Sequence, residues 1–226
     1  MKLNERENQV RKLILKMSIS VDGFVSGPNG EIDWIFRTLD WKVTEWIVDT
    51  LWNSGVHIMG SKTYQDMAAY WPTSTEAFAA PMNEIPKIVF TKKGSVKSPN
   101  VELTTAALKD AVRIRERDKI ETLNTQNING TGWANPSIAS GNLTEEIFHL
   151  KQLKGKDILA HGGASFAQSL VEQNLIDEYR LVIHPVVLGK GLPLFAGLSK
   201  PIDLELVSKT EFNSGVVAHV YQPKKN

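Results

Sequence analysis

Residues 157–172 read DILAHGGASFAQSLVE. A short apolar strand, Ile158, Leu159 and Ala160, runs into Gly162-Gly163 and then directly into a helix pattern. Two residues without side chains at a strand-to-helix turn let another molecule come close to the backbone. The first amides of the helix, on Ala164 and Ser165, have no intrahelical partner. Together these features make a seat for a phosphate. A second seat of the same kind reads Met59-Gly60-Ser61-Lys62-Thr63-Tyr64, where Ser61 and Thr63 add hydroxyls and Lys62 a positive charge. A third segment, Thr91-Lys92-Lys93, follows a strand pattern over 87–91. In an open α/β sheet, ligands lie beyond the carboxyl ends of parallel strands, and all three segments occupy such positions. Two phosphates with nearby cations suit a dinucleotide carrying an extra 2′-phosphate, that is NADPH, with lysine acting as a point charge. The G-x-G-x-x-G fingerprint is missing from the first strand-helix unit, which argues against the common Rossmann type.

The elements that must position these segments follow from the pattern of apolar residues. Strands are expected over Leu13–Ser20, Val56–Met59, Lys87–Thr91, 157–161 and Asp177–Leu188. Asp22-Gly23 breaks the first, Phe24-Val25-Ser26 resumes it, and Gly27-Pro28-Asn29-Gly30 marks a turn. Asp40 caps a helix over Trp41–Asn53. Further helices are expected over Lys62–Ala69, Thr105–Lys119, Thr144–Leu153 (capped by Thr144 or Asn142) and 164–172. Leu204–Glu211 and Val216–Gln222, around Asn213-Ser214-Gly215, read as a hairpin. Strands alternate with helices until the end, where strands meet directly. The expected fold is α/β: a mostly parallel sheet with helices on both faces and an antiparallel C-terminal hairpin. With no linker between two cores, residues 1–226 read as one domain, with 1–11 as an N-terminal extension.

The bulk properties narrow the function classes. A net charge of +1 makes no broad field for nucleic acid or anionic lipid. The absence of cysteine excludes disulfides and thiol chemistry and suits a reducing cytoplasm. No apolar run is long enough to cross a bilayer, and the charged start MKLNERENQVRK lacks the apolar core of a secretion signal. The five histidines have no metal-ligand spacing, so no metal is expected.

Several motifs in one order carry a resemblance. Val21-Asp22-Gly23-Phe24-Val25 is followed by Gly27-Pro28-Asn29-Gly30-Glu31-Ile32-Asp33-Trp34, then by Met59-Gly60-x-Lys62-Thr63-Tyr64. Gly155-Lys156-Asp157-Ile158, Gly162-Gly163-Ala164, Leu175-Ile176-Asp177-Glu178-Tyr179-Arg180-Leu181 and His184-Pro185-Val186-Val187-Leu188-Gly189-Lys190-Gly191 complete the series with Leu194-Phe195. The chain resembles the dihydrofolate reductase superfamily, and most of all the reductase half of the bifunctional riboflavin-biosynthesis deaminase-reductase. The resemblance implies a single domain with a central sheet of about eight strands, NADPH as hydride donor, a small-molecule substrate and a homodimer. By position it implies that Gly60, Ser61, Lys62 and Thr63 hold the adenosine-side phosphates. Thr91 and Lys92 would lie near the adenine and 2′-phosphate, and Gly162, Gly163, Ala164 and Ser165 would hold the pyrophosphate. Ser18, Val25 and the 22–34 loop would border the nicotinamide, with Trp34 matching the family's active-site tryptophan. The family often has a basic residue where Ser61 stands, which weakens the preference for NADPH over NADH. Residues 104–131 read as an insertion relative to the family and receive no role from it.

Hydride transfer asks the protein mainly for orientation in a dry cleft, and then for a proton. Dihydrofolate reductases keep a carboxylate on the helix after the tryptophan loop. The matching position is close to Thr44, which brings in Glu45, on one helix face with Trp41 and roughly with Val48 and Trp52, although Glu45 and Asp49 read first as solvent-facing charges on an amphipathic helix. Asp22 is a second candidate, although Asp-Gly after a strand also reads as a plain turn, and Asp33 is undecided. The leading reading is an NADPH-dependent reductase of a small heterocycle, resembling 5-amino-6-(5-phosphoribosylamino)uracil reductase of riboflavin biosynthesis. The alternatives are a dihydrofolate or pterin reductase, and a non-catalytic nucleotide-binding module of the same fold.

Overall fold

The structure is a computed structural model that describes residues 10–96 and 132–224. Its elements in chain order are β1 (Leu13–Ser20), β2 (Phe24–Ser26), α1 (Asp33–Phe36), α2 (Trp41–Trp52), β3 (Ser54–Gly60), α3 (Ser61–Tyr70), α4 (Ala79–Glu84), β4 (Lys87–Phe90), β5 (Ser137–Ala139), α5 (Leu143–Gln152), β6 (Asp157–Ala160), α6 (Ala164–Glu172), β7 (Glu178–His184), β8 (Leu192–Pro193), β9 (Leu204–Glu211) and β10 (Val217–Pro223). Eight strands form one sheet in the order β5-β4-β3-β6-β1-β7-β10-β9. Pairing is parallel from β5 through β7 and antiparallel from β7 through β10 to β9.

The strand β1 shows why this chain makes this sheet. Leu13, Leu15, Met17 and Ile19 point to one face and pack with Ile147 and Leu150 of α5 and Ala167, Leu170 and Val171 of α6. Ile14 points to the other face, among Val43, Ile47 and Leu51 of α2 and Tyr64 and Ala68 of α3. A strand covered on both faces is expected to be apolar on both. Burying each such aliphatic side chain is worth about 1.5–3 kcal/mol relative to exposure. From Lys16 onward the second face turns polar, with Lys16, Ser18 and Ser20, and Lys16 and Ser18 open there onto a cleft.

The helix caps are explicit. Asp40 Oδ1 accepts from the Val43 amide at 2.9 Å, and its Oδ2 accepts from the Ser214 amide at 3.3 Å, tying the C-terminal hairpin turn to α2. Asn142, rather than Thr144, caps α5, accepting from the Thr144 and Glu145 amides at 3.0 and 3.3 Å. Asn142→Ala is therefore expected to cost about 1 kcal/mol, read as a lower urea midpoint with an unchanged slope.

Some boundaries differ from those expected. The strand expected to reach Leu188 ends at His184, because Pro185 has no amide hydrogen to continue the ladder. Phe24–Ser26 does form a strand, but it pairs with β8 in a separate two-stranded sheet instead of resuming β1. The helix expected over Thr105–Lys119 and the insertion at 104–131 lie outside the described residues.

Candidate active site

The strands β4, β3 and β6 are parallel neighbours, so their carboxyl ends share one rim. At that rim β3 passes through Gly60 into α3, and β6 passes through His161, Gly162 and Gly163 into α6. Neither helix start is capped by a side chain. Their first amides therefore face outward, where the helix dipole favours an anion. The two starts open onto one cleft of about 1380 Å³. Ser18, Val25, Gly60, Ser61, Lys62, Thr63, Thr91, Lys92, Gly162, Gly163, Ala164 and Ser165 all line it.

The two glycine turns differ physically. Gly163 has φ +105°, and a Cβ there would stand 2.5 Å from Thr63 Oγ1, so the α6 seat is pressed against the α3 seat and has no room for a side chain. A Cβ on Gly162 would meet the Met17 methyl at 2.9 Å. Gly60 has φ −75°, which any residue adopts, and its nearest neighbour would be Phe166 Cβ at 3.4 Å. Glycine is thus required at the α6 seat and merely convenient at the α3 seat. The donor set suits a dinucleotide: two uncapped helix starts, glycines that let its backbone approach, and lysines. Lys62 is bonded to Asp66 at 3.1 Å, whereas Lys92 and Lys93 also line the cleft and have no ion pair among the described residues.

The three acid and aromatic candidates are not brought to the cleft. Glu45 stands exposed on α2. The inward stripe of that helix is Val43, Ile47, Thr50 and Leu51, which turns Trp41, Glu45 and Asp49 to solvent. Asp22 is a clamp: its carboxylate accepts from Ser20 Oγ at 2.6 Å, the Leu188 amide at 3.1 Å and the Gly189 amide at 2.7 Å. Those bonds, the Ser20 hydroxyl first, hold its carboxyl below the usual range. Trp34 is buried, donating from Nε1 to the Glu31 carbonyl at 3.2 Å and packing edge-on against His184 at 5.4 Å. Its neighbours Ile32 and Ile35, not Trp34 itself, line the cleft.

The cation that does reach the cleft floor is Lys16, which the motifs had not singled out. It is half-buried and forms no hydrogen bond or ion pair with any described residue. Burial pushes its ammonium down to about 8. The signal was in the sequence: a lone lysine inside LILKMSIS, a strand that must be buried on both faces, is out of place unless something anionic or polar meets it.

Two buried histidines, His161 and His184, feel the Lys16 charge, and a third, His57, packs against His161. Burial first, then the Lys16 and Lys87 charges, push His161 down to about 3. Burial and the Lys16 charge push His184 down to about 4, and burial, His161 and Lys87 hold His57 well below its usual 6.5. The folded rings are neutral, while the unfolded rings take up protons below about 6.5. The unfolded state binds more protons, so stability falls as pH drops from 6.5 toward 4. His161 and His184 each contribute up to about 1.4 kcal/mol per pH unit across that window, and His57 acts in the same direction. The melting temperature is expected to fall steeply between pH 6.5 and 5, and more gently in His57→Gln. A melting temperature that stays level over this range would contradict the assignment.

The RibD C-terminal domain family matches residues 11–218. The chain belongs to that family. It is 33% identical over 214 residues to the uncharacterized protein YyaP of Bacillus subtilis (strain 168), covering 93% of this chain and 94% of that protein. Its fold is similar to a diaminohydroxyphosphoribosylaminopyrimidine deaminase/5-amino-6-(5-phosphoribosylamino)uracil reductase from Thermotoga maritima, with a TM-score of 0.62 at 16% identity over 95% of this chain and 57% of that one. It is also similar to dihydrofolate reductase from Enterococcus faecalis complexed with NADP(H), with a TM-score of 0.55 at 11% identity over 96% and 99% of the two chains. The RibD C-terminal domain fold is thus the frame that carries the cleft, and its sheet is the one the dihydrofolate reductase resemblance implies.

Proposed function

We propose that this member of the RibD C-terminal domain family is a reductase that takes hydride from NADPH and delivers it to a small heterocyclic acceptor. The observation that carries the reading is the pair of uncapped helix starts, at Ser61 and Ala164, opening onto one cleft. The amides of α6 behind Gly162-Gly163 hold the pyrophosphate, and the α3 start with Ser61 and Thr63 holds the adenosine-side phosphates. Lys92 and Lys93 sit beside the 2′-phosphate. Ser18 and Val25 border the end of the cleft where the nicotinamide stacks, and Lys16 faces the acceptor from the floor. When bound, NADPH supplies the hydride. The chain itself orients the two partners, keeps water out and holds a proton at Lys16 Nζ. Near neutral pH that nitrogen is protonated, and its depressed affinity makes it a competent donor to the reduced acceptor.

A folate or pterin substrate is less well served. Such rings are amidine-like and want a carboxylate, and the sole acid lining the cleft among the described residues is Asp66, bonded to Lys62. The test is tryptophan fluorescence during titration with NADPH and NADH, followed by assay with oxopyrimidines, pterins and simple imines. Quenching by NADPH and its oxidation with an oxopyrimidine are expected. No quenching at millimolar cofactor would end the proposal.

A further inference from the structure

The two phosphate seats follow β3 and β6, and the opposite end of the cleft is walled by β2, β8 and the segment that runs from β2 into α1. That wall is mostly carbon. Val25, Pro28, Ile32, Ile35 and Leu192 line it. Pro28 is exposed, Ile32 and Ile35 are half-buried, and Leu192 is 40% exposed. Apolar side chains left open inside a cleft mark a place where a ligand buries apolar surface.

An acceptor with a phosphorylated tail, such as 5-amino-6-(5-phosphoribosylamino)uracil, needs a further phosphate seat at this end, built from free amides or cations. The Gly27-Pro28-Asn29-Gly30 turn has the composition of an anion loop, but its amides are spent. Gly27 donates to the Glu31 carbonyl at 2.9 Å, and Gly30 donates to the Gly27 carbonyl at 3.1 Å. Asn29 donates to the Glu31 carboxylate from its amide at 2.9 Å and from Nδ2 at 2.8 Å. Pro28 has no amide hydrogen. The polar side chains at this end are spent too. Ser26 Oγ donates to the Gly27 carbonyl at 3.1 Å, and Gln168 Nε2 to the Pro193 carbonyl at 2.7 Å. Ser169 Oγ donates to the Ser165 carbonyl at 3.0 Å.

The charges point the same way. Glu31 brings a carboxylate to the turn, and α1 opens on a second acid, Asp33, to which Arg37 is bonded. Neither Arg37 nor Lys190 lines the cleft. Among the described residues, the cations that do are Lys62, Lys92 and Lys93 at the cofactor's phosphates and Lys16 on the floor, beneath the acceptor ring rather than beside its tail.

We infer that the acceptor of this chain carries an apolar group where a phosphorylated sugar would stand, and that Ile32, Ile35 and Leu192 form the centre of the wall it packs against. The inference rests on the reductase reading for which end of the cleft holds the acceptor. Its binding test needs no turnover.

Three 5-amino-6-aminouracils that differ only in the group on the 6-amino nitrogen separate the cases: benzyl, ribosyl and phosphoribosyl. Calorimetry with NADP⁺ present should show the benzyl compound binding to the wild-type chain at least tenfold more tightly than the phosphoribosyl compound, with the ribosyl compound between them. Leu192→Lys puts an ammonium on the wall at a position open enough to accept it. It should raise affinity for the phosphoribosyl compound at least fivefold and lower affinity for the benzyl compound. Ile35→Ser should weaken the benzyl compound at least fivefold and leave the phosphoribosyl compound where it was. The methyl resonances of Ile32 and Ile35 in the wild-type chain should move on adding the benzyl compound, a readout that needs no variant to fold. Wild-type affinity for the phosphoribosyl compound equal to or above that for the benzyl compound, failure of the benzyl compound to bind, or unmoved methyl resonances overturns the proposal. NADPH binding in the same samples judges the reductase reading separately: cofactor without the benzyl compound sinks this inference alone, and the benzyl compound without cofactor sinks the reductase reading alone.

Discussion

Gly163→Val is expected to abolish NADPH binding, lowering affinity at least a hundredfold, while leaving a folded protein. The backbone at Gly163 has φ +105°, a region L side chains rarely adopt, and a Cβ would meet Thr63 Oγ1 at 2.5 Å. Both faults fall where α6 presents its first amides, so the side chain displaces the amides from the phosphate and wedges the two helix starts apart. Strain of this kind costs about 1–3 kcal/mol, which lowers the melting temperature of a chain this size by several degrees without unfolding it. Gly189→Ala is the control. Gly189 also has positive φ, +71°, but a Cβ there meets nothing within 4 Å, and the residue does not line the cleft. It should show the strain and keep the affinity. By contrast Gly60→Ala should be nearly silent, since its φ is ordinary and its neighbour stands 3.4 Å away. Fluorescence titration of the three variants reads all of this. Wild-type affinity in Gly163→Val would remove the α6 seat from the cofactor site.

Local rules made much of this geometry legible before any coordinates. The strand Leu13–Ser20 and the helix over 164–172 have the bounds their periodicity implies, and the twelve residues assigned to the cofactor meet in one cleft. The element bounds and the two glycine seats depend on short-range signals, a glycine pair, an alternation, a cap, whereas Ser18, Val25, Thr91 and Lys92 were placed by the family resemblance. The elements that went unseen are short or paired at long range. α1 and α4 have four and six residues, too few for a periodic signal, and β5 is three residues that pair, among the described residues, with β4 alone. The proton donor was sought among carboxylates because a family motif pointed there. Glu45 stands on the solvent face, the reading its helix pattern favours first, and the aromatic beside it is exposed too, Trp41 at 69%. An amphipathic helix is oriented by its aliphatic stripe, here Val43, Ile47 and Leu51. Asp22 lies outside the cleft for another reason. It is separated by 166 and 167 residues in sequence from the two amides that donate to it, so its role as a clamp becomes visible only once β7 lies beside β1.

Lys16→Met carries the second large effect, and it acts in opposite directions on activity and stability. An ammonium half-buried without a carboxylate partner is held at a cost, visible in its depression from 10.5 to about 8. Folding disfavours the charged form, so the unfolded chain binds the proton more tightly. The destabilisation is fully present below pH 8 and fades as pH rises from 8 toward 10.5. A depression of that size corresponds to roughly 3 kcal/mol, and methionine fills the same volume without the charge. Lys16→Met should therefore melt several degrees higher at pH 7, and the difference should shrink by pH 10. Turnover should move the other way. Losing a positioned proton donor costs about 10²–10⁴-fold, so kcat should fall by that order while the KM for NADPH stays put, because Lys16 belongs to the acceptor side of the cleft. Wild-type kcat should itself decline as pH rises through about 8, and the variant should lose that limb of its profile. If Lys16→Met were less stable than wild type and equally active, the residue would be a packing element and the proton would have to come from elsewhere.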